Sequence, residues 1–292
     1  MGHHHEHHAV KNLRLAFFLN LAFTVFEIFG GIYTNSIAIL SDAVHDLGDS
    51  LSLGTAWYLQ KKSNRKSDAK FSFGYQRFSL LGALINSVVL VGGSIYVIYA
   101  AVERIMYPES SDAEGMIFFA VVGVLVNGYA AWKLTKGKTM NEKVIGWHLI
   151  EDVLGWAAIL IVSIILYFKD IPYLDPILSL LITLYILYNA FKRLRETLYL
   201  FLQGNPTDIN KQEIEKELVN LLGVQSIHQT AIWSLDGEHH VFSTHIRMNK
   251  NVTAQESYQI KKNINQILER YKFEYYTVET ELSNEDCSMY KQ

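Results

Sequence analysis

The sequence predicts an α-helical membrane protein, six transmembrane helices followed by a small α+β domain, and three observations carry the prediction. Half of the 292 residues are hydrophobic and 19% are charged, against about 25% in a typical soluble domain. Five segments are apolar runs at or near the roughly 20 residues that crossing a bilayer requires: Ala16 to Tyr33, Phe78 to Ala101, Met116 to Leu134, Val144 to Phe168 and the shorter Ile177 to Phe191. Lysine and arginine, finally, fall in every second connection, the pattern that marks a cytoplasmic side.

That alternation also identifies the sixth span. Lys11 and Arg14 precede the first segment, Lys61, Lys62, Arg65, Lys66, Lys70 and Arg77 precede Phe78, and Lys133, Lys136, Lys138 and Lys143 precede Val144. Lys192, Arg193 and Arg195 close the last, whereas Thr34 to Ser36, Tyr107 to Gly115 and Lys169 to Pro176 are short or acidic. The order holds only if Ile37 to Leu59 crosses as well, although Asp42, His45, Asp46 and Asp49 would make a hydropathy window reject it. Both termini are then expected in the cytoplasm.

After Gly204-Asn205-Pro206 the chain turns soluble in character. Asp208 is expected to cap a helix through Leu222, followed by strands Val224 to Leu235 and His240 to Met248 joined by the hairpin signal Asp236-Gly237. Thr253 caps a second helix with Ile260, Ile264, Ile267, Leu268 and Tyr271 at helical spacing, and a third strand runs from Phe273 to Leu282. The order αββαβ predicts helices on one face of a small antiparallel sheet. The expected domains are a His-rich tail (1–11), a six-helix membrane domain (12–203) and a cytosolic domain (204–292). The start, MGHHHEHH, lacks the apolar region of a signal peptide; Glu6 interrupts the histidines, which favours a metal-collecting tail over an added tag.

Composition narrows the function. The net charge of −3 gives no basic surplus for nucleic acid, and no nucleic-acid motif is present, so that partner is not expected. Cys287 is the only cysteine, so an internal disulfide and a Cys-rich zinc fold are excluded. Any metal site must draw on His, Asp and Glu.

One spacing occurs twice. His45 and Asp49 are four apart on the second span, and His148 and Asp152 are four apart on the fifth. Residues at i and i+4 share a helix face, so two such helices facing one another make a four-ligand cage, which suits tetrahedral zinc. Manganese, iron and cobalt are compatible, while the lack of soft sulfur ligands argues against Cu(I). A bland role in helix packing is expensive, because each charged group at the bilayer centre costs at least about 2.5 to 3.5 kcal/mol. Asp42 and Glu151 lie close enough to act as ligands or proton relays, and Asp46, about 100° around the helix from His45, is the weakest candidate. Glu27, Asn20, Asn86 and Asn127 read as hydrogen-bonding groups between helices, and Gly30-Gly31 and Gly92-Gly93 as points of close backbone approach.

The segments SDAVHDLGDS (41–50) and WHLIED (147–152) resemble the second- and fifth-helix motifs of the cation diffusion facilitator family of metal/proton antiporters, as do FGYQR (73–77) and IHQTAIW (227–233) elsewhere. The resemblance implies a homodimer in a lipid bilayer, with six helices per protomer and a ferredoxin-like cytosolic domain. It implies export of Zn2+, or of Cd2+ or Co2+, in exchange for protons by alternating access, with His45, Asp49, His148 and Asp152 as the transport site. It also maps His228, His245 and Glu281 onto cytosolic metal ligands near the dimer interface, with Zn2+ as the ligand there. Lesser candidates are His239, His240 and Glu279, and Cys287 reads as a bystander. A bacterial inner membrane is the expected location.

Two positions depart from the family pattern. Where some members bind metal between the second and third helices, only Asp68 matches, with Phe71 and Tyr75 at the histidine positions, and Ser79 stands where a Glu is common. Two other functional classes could use the same residues. An intramembrane metallohydrolase would keep an open zinc position, which two matched pairs leave no room for, so an enzyme is not expected. A membrane-tethered metal sensor would act through His228, His245 and Glu281.

Overall fold

The computed structural model describes residues 3–63, 67–135, 140–250, 252–283, 285 and 287, with side chains described except at 3–13, 15, 56, 59–63, 134, 135 and 140–148. The histidine-rich start therefore lies outside the described side chains. The chain divides into two units, 1–62 with 81–195, and 63–80 with 196–292.

The first unit is built from long helices: α1 (His3–Tyr33), α2 (Ile37–Ser63), α3 (Phe78–Met106), α4 (Ala113–Thr135), α5 (Met140–Phe168) and α6 (Leu174–Phe201). Five of them, all but α2, contain a stretch long and apolar enough to cross a membrane. Large apolar side chains face outward along them, among them Phe29, Tyr96, Phe168 and Leu181. Such a surface fits lipid rather than water.

Polar groups are turned inward, where they join helices. Asn20 Nδ2 on α1 donates to the Asp46 carbonyl and to Ser50 Oγ of α2, both at 3.0 Å. From α3, Asn86 Nδ2 donates to Ser52 Oγ at 2.6 Å, and Ser41 pairs with Thr183 of α6 at 2.7 Å. These are bonds of the kind that hold helices together without a hydrophobic driving force. Asn127 departs from expectation: it is buried, and its Nδ2 has no hydrogen-bond partner among the described residues.

Asp175, at the start of α6, caps α2. Its carboxylate accepts from the amides of Ile37 (2.8 Å) and Ala38 (3.4 Å) and from the Ser36 hydroxyl (2.5 Å). The first amides of a helix have no partner of their own, so α6 supplies one where α2 begins. The packing of α2 on α3 depends on two glycines. A Cβ at Gly93 would lie 2.6 Å from Val44, and one at Gly48 would lie 2.4 Å from Leu90. Gly92, expected to share this role, faces open space instead.

The second unit contains α7 (Lys211–Val219), β1 (Val224–Ser234), β2 (His240–Met248), α8 (Ala254–Arg270) and β3 (Tyr275–Glu281). Strand β2 lies in the middle, antiparallel to β1 and parallel to β3. The expected all-antiparallel sheet is thus corrected to a mixed one. The reason is the connection: β2 reaches β3 through helix α8, and a crossover of that kind returns the chain in the same direction. Phe242, Ile246 and Met248 of β2 pack with Ile214 and Leu218 of α7 and Ile260, Ile264 and Leu268 of α8. Both helices therefore cover one face, and the other is left to His245 and Arg247.

Local signals were followed with one exception. Thr253 and Glu256 form a reciprocal capping box at α8. The Asp236 carboxylate accepts from the amides of Glu238 and His239, and Gly237 takes a φ of +105° that a side chain would resist. Helix α7, however, is capped by Asn210 rather than Asp208, whose carboxylate instead meets His240 Nε2 at 3.0 Å. The segment before α3 belongs to this unit, with the Phe73 ring edge-on to Trp233 (6.4 Å) and Tyr275 (5.3 Å). Asp68 is used there as a turn cap, accepting from the amides of Lys70 and Phe71 and from the Tyr75 hydroxyl.

Candidate metal sites

In the membrane unit, the helical repeat puts His45 and Asp49 on one face of α2. His45 Nε2 lies 3.8 Å from Asp49 Oδ2 and 3.8 Å from Asp152 Oδ1 of α5. An imidazole thus sits between two carboxylates from two helices. Donor atoms about 2.0 to 2.1 Å from one tetrahedral ion are about 3.3 Å apart, so each pair needs to close by only about half an ångström. His148 lies on α5 one turn before Asp152, and its side chain is outside the described residues.

His45 and Asp152 line a cavity of about 350 Å3, together with Asp42, Glu151, Asn189 and Arg193. Glu27 is fully buried, and Asp42 and Asp46 nearly so. Glu27 of α1 lies beside Asp46. Carboxyl groups buried inside a membrane domain are costly and mark a path for cations or protons. The sequence ranks Asp46 lowest because it faces away from His45; what it could not display is that α1 brings Glu27 to that side.

A second cluster lies on the open face of the sheet. Register places His228 of β1 opposite His245 of β2, and Arg247 opposite Glu281 of β3. Glu281 Oε1 is 3.1 Å from His228 Nε2 and 3.0 Å from His245 Nδ1. Cys287 Sγ is 3.6 Å from the same His245 nitrogen, and one donor atom from each of the four residues lies within 4.8 Å of the others. Burial acts to raise the Glu281 pKa, but hydrogen bonds from His245 and Cys287 and the charge of His228 overcome it and hold the carboxyl at about 2. Of the lesser candidates, Glu279 approaches His245 Nε2 at 3.5 Å. His239 pairs with Asp236 at 2.7 Å and His240 with Asp208, both apart from the cluster.

Comparison with known proteins gives a family for each of the two parts of the chain. Residues 13–202 match the cation efflux transmembrane domain, and residues 206–282 match the cytoplasmic domain of cation efflux proteins. The chain belongs to the cation efflux family, the cation diffusion facilitators. It is 31% identical to the cadmium, cobalt and zinc/H(+)-K(+) antiporter of Bacillus subtilis, over 98% of this chain and 94% of that one. It is 30% identical to the metal cation efflux system protein CzcD of Cupriavidus metallidurans, over 97% and 90%. It is 33% identical to the zinc transporter ZitB of Yersinia pseudotuberculosis, over 82% of this chain and 77% of that one. Cation efflux proteins are multi-pass membrane transporters rather than enzymes, and the metallohydrolase alternative falls with that assignment.

Proposed function

We propose that this cation efflux protein exports Zn2+, with Cd2+ and Co2+ as further substrates, in exchange for protons at a site formed by His45, Asp49, His148 and Asp152. The observation that carries the reading is the position of His45 Nε2, 3.8 Å from a carboxylate on its own helix and from one on α5. The relatives' names, which include zinc, cadmium and cobalt, and antiport with H+, support the choice of ions.

The exchange follows from ligand chemistry. A metal ion takes neutral imidazole and ionised carboxylate, so binding expels protons and protonation expels the metal. Histidine changes charge within the physiological range, so the ligands themselves couple the two flows. The ion enters through the cavity between His45 and Arg193, at the end of the bundle where the positive connections lie. Movement of α2 against α5 then opens the opposite side, where protons displace it.

The same reading places α2 in the membrane as the sixth span, both termini in the cytoplasm and the protein in a bacterial inner membrane. It divides the chain into a tail (1–11), a membrane domain (12–203) and a ferredoxin-like cytosolic domain (204–292) that holds a homodimer together. His228, His245 and Glu281 bind Zn2+ in that domain. In the reading of this constellation, Glu281 Oε1 faces both imidazoles while its other oxygen turns to Arg247 at 3.5 Å.

The test is uptake into proteoliposomes under an imposed pH gradient, comparing Zn2+, Cd2+, Co2+, Mn2+ and Fe2+. Zinc uptake that rises with the gradient is expected, with manganese and iron slower. Zinc movement indifferent to the gradient, or manganese faster than zinc, would overturn the proposal.

A further inference from the structure

We propose that Cys287 supplies a thiolate as fourth ligand to the cytosolic cluster, closing a His2GluCys site that takes one thiophilic divalent ion per protomer, Cd2+ or Zn2+ in preference to Mn2+. The inference rests on the reading of His228, His245 and Glu281 as metal ligands and adds to it the residue that decides which ions bind.

The position of Cys287 is set by more than its own contacts. Beyond β3 the chain turns back: the Glu285 amide donates to the Leu282 carbonyl at 3.0 Å, and the Leu282 amide donates to Glu285 Oε2 at 2.9 Å. Arg247 Nη2 then donates to the Glu285 carbonyl at 3.2 Å, which ties the turn to β2. Two residues later the thiol arrives over His245.

Three of the six spacings are near the edges of a tetrahedron, and all lie within 4.8 Å. With zinc to sulfur near 2.3 Å and zinc to nitrogen near 2.0 to 2.1 Å, sulfur and nitrogen should lie about 3.5 Å apart, and two light donors about 3.3 Å apart. The observed separations are 3.6 Å for Cys287 to His245, and 3.0 and 3.1 Å for Glu281 to the two imidazoles. Four donors complete the coordination of a closed zinc site and leave no open position for a reacting water.

Charge leads to the same assignment. His245 and Glu281 are nearly buried, 5% and 3% exposed, and a net charge is costly there. Arg247 and Glu279, each 3.5 Å from a member of the cluster, offset one another; two neutral imidazoles and one carboxylate around a divalent ion then leave one positive charge, and a thiolate cancels it. Thiolate also favours soft ions over manganese, which prefers oxygen.

The test uses the full-length protein in detergent, stripped of metal and kept reduced, in an Asp49→Ala background that removes a ligand from the transport site. Because Cys287 is the only cysteine, thiolate-to-cobalt charge-transfer absorption on adding Co2+ reports on this residue alone. The expected result is a band that saturates at one cobalt per protomer and disappears in Cys287→Ser. That variant should also lose more than about 10-fold in Cd2+ affinity, the least that even an outer-shell partner is worth, while Mn2+ affinity stays unchanged. Cobalt bound to the cluster without a sulfur band, or equal Cd2+ affinity in Cys287→Ser, overturns the thiolate assignment and leaves the three-ligand reading standing. If a His228→Ala, His245→Ala variant binds as much cobalt as its parent, both readings fail. Alkylation of the native protein gives an answer that needs no variant: Zn2+ should slow modification of Cys287, and unchanged reactivity counts against its ligation.

Discussion

His45 on α2 and Asp152 on α5 face one another with 3.8 Å between Nε2 and Oδ1. Asp49 stands at the same distance from the same nitrogen but on the same helix. The two contacts differ in what can break them: the α2 pair travels as one piece, whereas the pair across helices separates whenever α2 and α5 slide. A site divided in this way can hold an ion when the helices are in register and lose part of its ligand set when they are not.

The cap that Asp175 gives α2 fixes where that helix starts, and hence the height of His45. Asp175→Ala leaves buried amides of Ile37 and Ala38 without their acceptor, a loss of about 1 to 3 kcal/mol for an unsatisfied buried group. A lower midpoint of thermal unfolding in detergent is expected, with Asp175→Asn recovering part of it because its amide oxygen still accepts.

Adjacent glycines on α3 should behave in opposite ways. Gly93→Ala drives a methyl group into Val44 and should cost about 1 to 3 kcal/mol through overpacking. Gly92→Ala meets nothing within 4 Å and should be neutral, or stabilising by up to about 1 kcal/mol from helix propensity. Thermal unfolding of the two variants side by side checks the contrast.

The Glu281 carboxyl makes a prediction about acid. Its value in the folded domain is about 2 against an ordinary 4.5, so the folded state favours the ionised form. That stabilisation is complete above pH 4.5 and is lost as the pH falls from there toward 2. In metal-free protein, hydrogen-exchange protection factors for β2 and β3 should be lower at pH 3 than at pH 5. In Glu281→Gln this part of the pH dependence should vanish.

Much of this was legible in the residues themselves. The His45-to-Asp49 spacing marks a helix face because an α-helix repeats nearly every four residues, and the apolar runs mark five segments long enough to cross a membrane. Thr253 with Glu256 announces a helix start because both partners of the capping box are local. What escaped was non-local. The parallel pairing of β3 depends on where α8 returns the chain, Asn210 caps α7 while Asp208 meets His240 of β2, and Gly92 differs from Gly93 only in what lies across the helix interface. Cys287 looked idle for the same reason: nothing near it in sequence indicates that a turn carries it back to His245.

Metal exchange on this reading requires that carboxylates on two helices share one imidazole. Zinc-driven proton flux in proteoliposomes, compared among the wild type, Asp49→Ala and Asp152→Ala with each variant recovered as an intact folded protein, tests it most directly. Flux in both variants should fall to the level of protein-free vesicles. Undiminished flux in either would contradict the assignment.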